Sequence, residues 1–309
     1  MAKRVGVDKW LFGTVLTLVL FGLVMVFSAS AVMAKATQGS PYAFVSKQLA
    51  WVIVGLGTMF LLMKIDYRKY NNPKVIFPLM GVTALMLLAV FAMGRMNGAH
   101  RWIRLGGFTL QPSELAKPVI VLFLSWFLQT RIHQIDNIKE TILPAALPPL
   151  VFIALILVEP DLGTSLVCAA VLMLMLYLAG MQMKWIGAAI LAAMPVMYFM
   201  LFRVAWRRAR LMAFLNPEAD PKGVGYHTLQ SLIAVGTGGL HGKGLMEGVQ
   251  KLFFLPEPHT DFIFAVICEE LGLFGAMLVV VLYLGILFVA VVYFLPGGLA
   301  GLGRTWRRA

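Results

Sequence analysis

Charge is scarce in this chain. Only 13% of its 309 residues are Asp, Glu, Lys or Arg, where a soluble domain usually carries about 25%. That scarcity argues against a water-soluble enzyme, a disordered tail and a nucleic-acid binder. Acidic residues are the scarcest, 14 against 26 basic ones, for a formal charge of +12. On a soluble protein such an excess would point to nucleic acid. Here the basic residues sit mostly in short connections between apolar runs, where membrane topology and anionic lipid account for them. Cysteine is nearly absent. Cys168 and Cys268 fall in or beside apolar runs, show no metal-ligand spacing and give no disulfide framework. The five histidines, His100, His133, His227, His241 and His259, show no ligand spacing either. No HExxH, CxxC, Walker-type loop or Ser-His-Asp order occurs, so the residues themselves support no catalytic transition metal.

What the chain has in excess is apolar sequence: 60% of residues are hydrophobic and the mean hydropathy is +0.85. A membrane-crossing helix takes about 20 apolar residues. Eight such runs are read, at roughly 11–32, 48–63, 75–93, 114–129, 143–158, 163–180, 185–203 and 263–295. The expected fold class is all-α, a polytopic integral membrane helical bundle. The first run follows Lys3, Arg4 and Lys9 as a signal peptide would, but it is long and further spans follow, so it reads as a retained anchor. No internal repeat or linker divides the chain. Residues 1–295 read as one transmembrane domain and 296–309 as a Gly/Arg-rich tail.

With the N-terminus inside, the inner segments carry thirteen basic residues and the short outer connections five. That bias sets an N-in orientation. Residues 204–262 then form a large extracytoplasmic loop. With Arg203 it carries seven cations: Arg203, Arg207, Arg208, Arg210, Lys222, Lys243 and Lys251. Long loops translocate largely regardless of charge, and an anionic ligand on the outer face is the alternative. Residues 223–248 hold eight glycines. Glycine permits positive φ and close backbone approach, so tight turns are the first reading. A run of exposed N–H groups facing an anion is the second.

Ionisable residues at membrane depth are expensive, and four clusters draw attention. The first is Arg101-Trp102-Ile103-Arg104 with Gln111-Pro112-Ser113-Glu114-Leu115-Ala116-Lys117. Glu114 and Lys117 share a helical face and can pair. The second, Glu159-Pro160-Asp161-Leu162-Gly163-Thr164-Ser165, joins two spans, and Asp161 or Thr164 can cap the second of them. In the third, Glu257, His259 and Asp261 crowd the start of the last run, where Thr260 or Asp261 can cap the helix. In the fourth, Glu269 and Glu270 sit inside that run and need partners, with Lys117 or an arginine as candidates.

These motifs, in this order and spacing, resemble the SEDS family of polytopic peptidoglycan polymerases (FtsW, RodA, SpoVE). The matching segments are Asn97–Ile103, Gln111–Lys117, Glu159–Ser165, Gly225–Ser231, Gln250–Ala265 and Glu269–Gly272, within residues 10–285. Phe27-Ser28-Ala29-Ser30 and Gln250-Lys251-Leu252 are most similar to the FtsW branch.

The resemblance implies a glycosyltransferase that polymerises lipid II at the outer face of the bacterial cytoplasmic membrane, at the division septum. Asp261 matches the family's essential aspartate, the general base. Arg101, Glu114, Lys117, Lys251 and His259 are the substrate-binding candidates, and Asp161, Glu269 and Glu270 the structural or cavity candidates. A divalent cation, Mg or Mn, is allowed by the resemblance, and no cofactor is fixed. Lipid II, membrane lipid, a class B penicillin-binding protein and other divisome proteins are the implied partners; nucleic acid is not. An elongation-type polymerase, a lipid II flippase and a non-catalytic scaffold stay open as alternatives. The family continues past the eighth span with two more helices, whereas this chain runs Phe294-Leu295-Pro296-Gly297-Gly298 into its tail. The expectation is a chain two helices short, with its own activity open.

Overall fold

The computed structural model describes residues 8–94, 100–105, 108–131, 134–135 and 137–294. The expected segment Asn97-Gly98-Ala99, His133 and the tail from Leu295 lie outside them. Among the described residues ten α-helices dominate: α1 Lys9–Gln38, α2 Ala43–Lys64, α3 Pro73–Ala89, α4 Pro112–Thr130, α5 Leu143–Val158, α6 Leu162–Leu178, α7 Met183–Tyr198, α8 Ala205–Leu215, α9 Tyr226–Gly238 and α10 Ile263–Phe294.

The six segments Lys9–Gln38, Ala43–Lys64, Pro73–Ala92, Ile138–Val158, Met183–Arg203 and Ile263–Val289 are long and apolar enough to cross a membrane. The chain is a multi-pass membrane protein. The other two expected spans are also helices. α6 has 17 residues, about 25 Å of rise against a hydrocarbon core of about 30 Å. α4 carries Glu114 and Lys117 in its first two turns. The all-α reading has one exception, a short antiparallel hairpin. Strand β1 (Ile103–Leu105) pairs with β2 (Phe108–Leu110) in the register Ile103 to Leu110, Arg104 to Thr109 and Leu105 to Phe108. Two glycines separate the strands in sequence, a hairpin signal that the membrane pattern masks.

The helices fall into two compact units. In the unit of residues 62–196, α4 packs on α3, α5 and α6, and α5 packs on α6. Its core is Ile120, Phe123 and Leu124 of α4, Ile156 of α5 and Leu172 and Leu176 of α6. In lipid such packing gains dispersion and fit rather than escape from water. Pro78, Pro118, Pro148 and Pro149 lie inside helices of this unit, as membrane helices tolerate.

The other unit joins residues 1–61 to 197–309. Asp8 opens α1 by accepting from the N–H groups of Trp10 and Leu11, each at 2.9 Å. Gly39, with φ +74°, closes it in the left-handed conformation. Met25 and Ala29 of α1 pack with Ala234 of α9, Leu255, and Ala265, Val266 and Val279 of α10.

Two expectations change in this unit. The run 263–295 is not one straight helix, because Gly272 (φ +64°, ψ −161°) breaks α10. The long loop 204–262 contains α8, α9 and a succession of tight turns. Gly238 and Gly242 approach α10 so closely that a Cβ on either would collide with the carbonyls of Cys268 and Glu270.

Candidate functional site

The break in α10 exposes carbonyls and carboxylates, and the glycine-rich loop satisfies them. The N–H of Lys243 donates to the Glu269 carbonyl at 3.0 Å, and that of Gly244 to the Glu270 carbonyl at 2.9 Å. The N–H groups of Val249 and Gln250 reach the Glu269 carboxylate at 3.0 Å. The N–H of Met246 reaches Glu270 at 3.1 Å. The loop does present backbone donors to an anion, but the anions are the protein's own glutamates.

Two lysines complete the neutralisation. Lys243 Nζ lies 2.7 Å from Glu269 Oε1 and Lys251 Nζ 2.5 Å from Glu270 Oε1. The Ser28 hydroxyl of α1 donates to Glu270 at 2.6 Å and accepts from Lys251 at 3.2 Å. These partners replace the expected Lys117 or arginine. A carboxylate pair inside a helix is affordable only if every charge is matched, and the nearest cations in the chain meet that need. Lys251, a substrate-binding candidate, is buried and its ammonium is engaged here.

At the start of α10 the expected caps do not form. The Thr260 hydroxyl donates weakly to the Glu257 carbonyl at 3.4 Å. The first α10 turn closes instead through the Phe262 carbonyl, which accepts from Val266 at 3.2 Å. Asp261 is exposed, and among the described residues its carboxylate makes no hydrogen bond or ion pair. Around it, the His259 ring packs on Phe44 of α2 with centroids 4.5 Å apart. His259 Nε2 lies 3.9 Å from Glu257, and its Nδ1 is buried without a partner among the described residues. The His227 ring stacks on Phe262 at 6.3 Å.

The unit of residues 62–196 holds the other candidates. Pro112 opens α4 at its first position, and Glu114 in the first turn sits where the helix dipole favours a carboxylate. Lys117 Nζ lies 2.8 Å from Glu114, as the i,i+3 spacing leads one to expect, with both partly exposed. Asp161 caps α6. It accepts from the Thr164 N–H at 3.1 Å, the Thr164 hydroxyl at 2.9 Å and Gln111 Nε2 at 3.0 Å. Arg101 serves the end of α5. Its Nε donates to the Glu159 carbonyl at 3.1 Å and its Nη2 to the Pro160 carbonyl at 2.5 Å. Helix C-terminal carbonyls lack partners of their own, and a cation suits them.

Glu159 heads the second cluster, but sequence reasoning gave it no role of its own. It follows the span Ile138–Val158, is 0% exposed, and neither carboxylate oxygen has a hydrogen bond among the described residues. Its carboxyl is pushed up to about 7, by burial first and then by Asp161, against the pull of Arg101. Ser28 and Lys243 were also missed. A hydroxyl inside an apolar run and a lysine among glycines were their signals. Among the described residues no group of three or more His, Cys, Asp or Glu side chains gathers as a metal site. The described residues therefore gather no donor set of their own for a divalent cation.

The model of the cell cycle protein family FtsW/RodA/SpoVE matches residues 8–296. A probable peptidoglycan glycosyltransferase FtsW from Geobacter metallireducens is 39% identical over 267 residues, covering 85% of this chain and 71% of the relative. Another from Trichlorobacter lovleyi is 40% identical over 287 residues, covering 92% and 74%. Among solved structures, a chain from work on a peptidoglycan synthase complex that coordinates polymerization and crosslinking matches with a TM-score of 0.68. It is 26% identical and covers 92% of this chain and 77% of that one.

Proposed function

The chain belongs to the FtsW/RodA/SpoVE family of cell cycle proteins, and on that premise we propose that it is a peptidoglycan glycosyltransferase with Asp261 as its general base. The observation that carries the assignment is the idleness of Asp261. It stands two residues before α10, one residue ahead of the cap position that Phe262 holds. It caps nothing, is exposed, and has no partner among the described residues. Asp161, which directly precedes α6 as its N-cap, spends its carboxylate on three donors.

In the proposed reaction Asp261 takes the proton from the acceptor sugar's 4-hydroxyl. That oxygen attacks the donor's anomeric carbon with inversion. The bond to the lipid pyrophosphate breaks, and its electron pair leaves with the pyrophosphate. Negative charge develops on that leaving group, and fixed cations lower the barrier most when aimed at it. By the family resemblance, Lys117 and Arg101 are proposed to bind the anionic substrate, with Glu114 holding the Lys117 ammonium. His259, two residues from the base, is proposed to contact substrate. The proposed substrate is lipid II, used at the outer face of the cytoplasmic membrane with the N-terminus inside. The proposed partner is a class B penicillin-binding protein at the division septum.

A lipid II flippase with a path lined by Glu114, Lys117, Glu269 and Glu270 is the weaker reading, because each of these charges is matched by a partner of opposite sign. The test is polymerisation by the purified full chain, given lipid II and a cognate transpeptidase. Glycan strands from the wild type and none from Asp261→Ala are expected. Strand formation that survives the substitution would remove Asp261 as the base.

A further inference from the structure

After the span Met183–Arg203 the next helix begins almost at once. One π-helical turn, Phe199–Arg203, continues α7, a single residue follows, and α8 begins at Ala205. Two residues reach at most about 7 Å, so α8 starts at the level of the lipid headgroups whichever side it faces. It brings a dense positive charge there. Arg203, Arg207, Arg208 and Arg210 fall within eight residues, and no Asp or Glu occurs between Lys184 and Glu218. Among the described residues none of the four pairs with a carboxylate.

Two of these arginines are held in place. The Trp206 ring lies 5.1 Å from the Arg207 guanidinium and 5.4 Å from that of Arg210. Arg207 is only 8% exposed. Its Nη1 donates to the Met200 carbonyl at 3.3 Å, while its Nε is buried with no partner among the described residues. A buried charged donor without an acceptor is costly. Trp206, Met212, Phe214 and Leu215 stand exposed on the same short helix, apolar side chains that suit the headgroup–acyl boundary.

We infer that α8 is a binding site for the phosphate of an anionic phospholipid. The phosphodiester oxygens sit against the Arg207 and Arg210 guanidinia beside Trp206, with Arg203 and Arg208 adding field. Guanidinium suits this task because its planar fork meets two phosphate oxygens at once. The lipid's acyl chains lie along Met212, Phe214 and Leu215. The site uses no residue assigned to the glycosyl-transfer reaction, so it stands or falls apart from that assignment.

The test titrates the purified full chain, in neutral detergent, with dioctanoyl phosphatidylglycerol. Parallel arms use dioctanoyl phosphatidylcholine, farnesyl pyrophosphate and inorganic phosphate, with bound ligand counted by native mass spectrometry. Phosphatidylglycerol is expected to bind best and to weaken as salt rises. Arg207→Gln and Arg210→Gln are each expected to weaken it about fivefold, the worth of one arginine near an anionic surface. Arg210→Gln, at an exposed position, keeps the test open should Arg207→Gln fail to fold. Equal binding of phosphatidylglycerol and phosphatidylcholine, or Arg210→Gln binding like the wild type, overturns the proposal. So does tighter binding of farnesyl pyrophosphate, which would assign the site to a pyrophosphate lipid. Inorganic phosphate competing as well as the lipid overturns it in favour of a free-anion site.

Discussion

Lys251 Nζ lies 2.5 Å from Glu270 Oε1 with both side chains buried, and the Ser28 hydroxyl contacts each of them. Three segments meet in this triangle: α1, the glycine-rich loop and the first half of α10. A buried pair gains little against an apolar replacement, but breaking it strands a charge, at a cost of about 3–5 kcal/mol. Glu270→Gln and Lys251→Met should each lower thermal stability in detergent by several kcal/mol. The double variant should recover most of the loss, because neither charge is then left alone. Thermal unfolding of the three variants measures this. Full additivity of the single losses would show that the two residues do not act as a pair.

Close approach of the loop predicts a contrast between glycines. Gly242 has φ +80°, and a Cβ there would strike the Glu270 carbonyl. Gly242→Ala should cost about 1–3 kcal/mol through strain and forced separation. Gly236 lies in α9 with nothing within 4 Å of a built Cβ, so Gly236→Ala should be neutral or stabilise by about 0.5–1 kcal/mol. Parallel melting curves separate the two. Equal effects would mean that the loop is not held against α10 as described.

Glu159 predicts a pH dependence. Its carboxyl is raised from 4.5 to about 7, first by burial, then by Asp161. The folded state therefore holds a proton that the unfolded state has already released between those values. Stability from this group is present below about 4.5 and falls as pH rises through about 7. Glu159→Gln removes the slope. The variant should melt at nearly the wild-type temperature at pH 5 and clearly above it at pH 8. On the order of 3 kcal/mol separates the two limits, at 1.36 kcal/mol per unit. A melting difference that does not change with pH would mean that the Glu159 carboxyl is not shifted.

Sequence carried the helices because lipid leaves the backbone few choices. Long apolar runs must be helical, and the six segments that can cross a membrane fall where the hydropathy does. The Glu114–Lys117 pair and the Asp161 cap were legible for the same local reason, since each joins residues only three apart in sequence. What was not legible depended on distant partners. Nothing local to Glu270 names Lys251, 19 residues back, or Ser28, 242 residues away. The break at Gly272 was hidden because hydropathy counts side chains and not φ. The hairpin Ile103–Leu110 was hidden by its size, with three residues in each strand.

Asp161 directly precedes α6 and Asp261 lies two residues before α10, and the structure predicts opposite behaviour for them. Asp161 accepts two bonds from Thr164 and one from Gln111. Asp161→Ala should lose a helix cap and lower stability by about 1–2 kcal/mol, with activity falling only as folded protein is lost. Asp261 is exposed and caps nothing. Asp261→Asn should leave the melting temperature unchanged while polymerisation falls on the order of 10²–10⁴-fold, the usual contribution of a positioned acid–base group. The amide keeps the shape of the carboxylate and loses its basicity, so the loss belongs to chemistry and not to packing. Melting and polymerisation measured on the same two preparations decide the matter. If Asp261→Asn destabilises the protein as Asp161→Ala does, Asp261 is a structural residue and the base must be sought elsewhere.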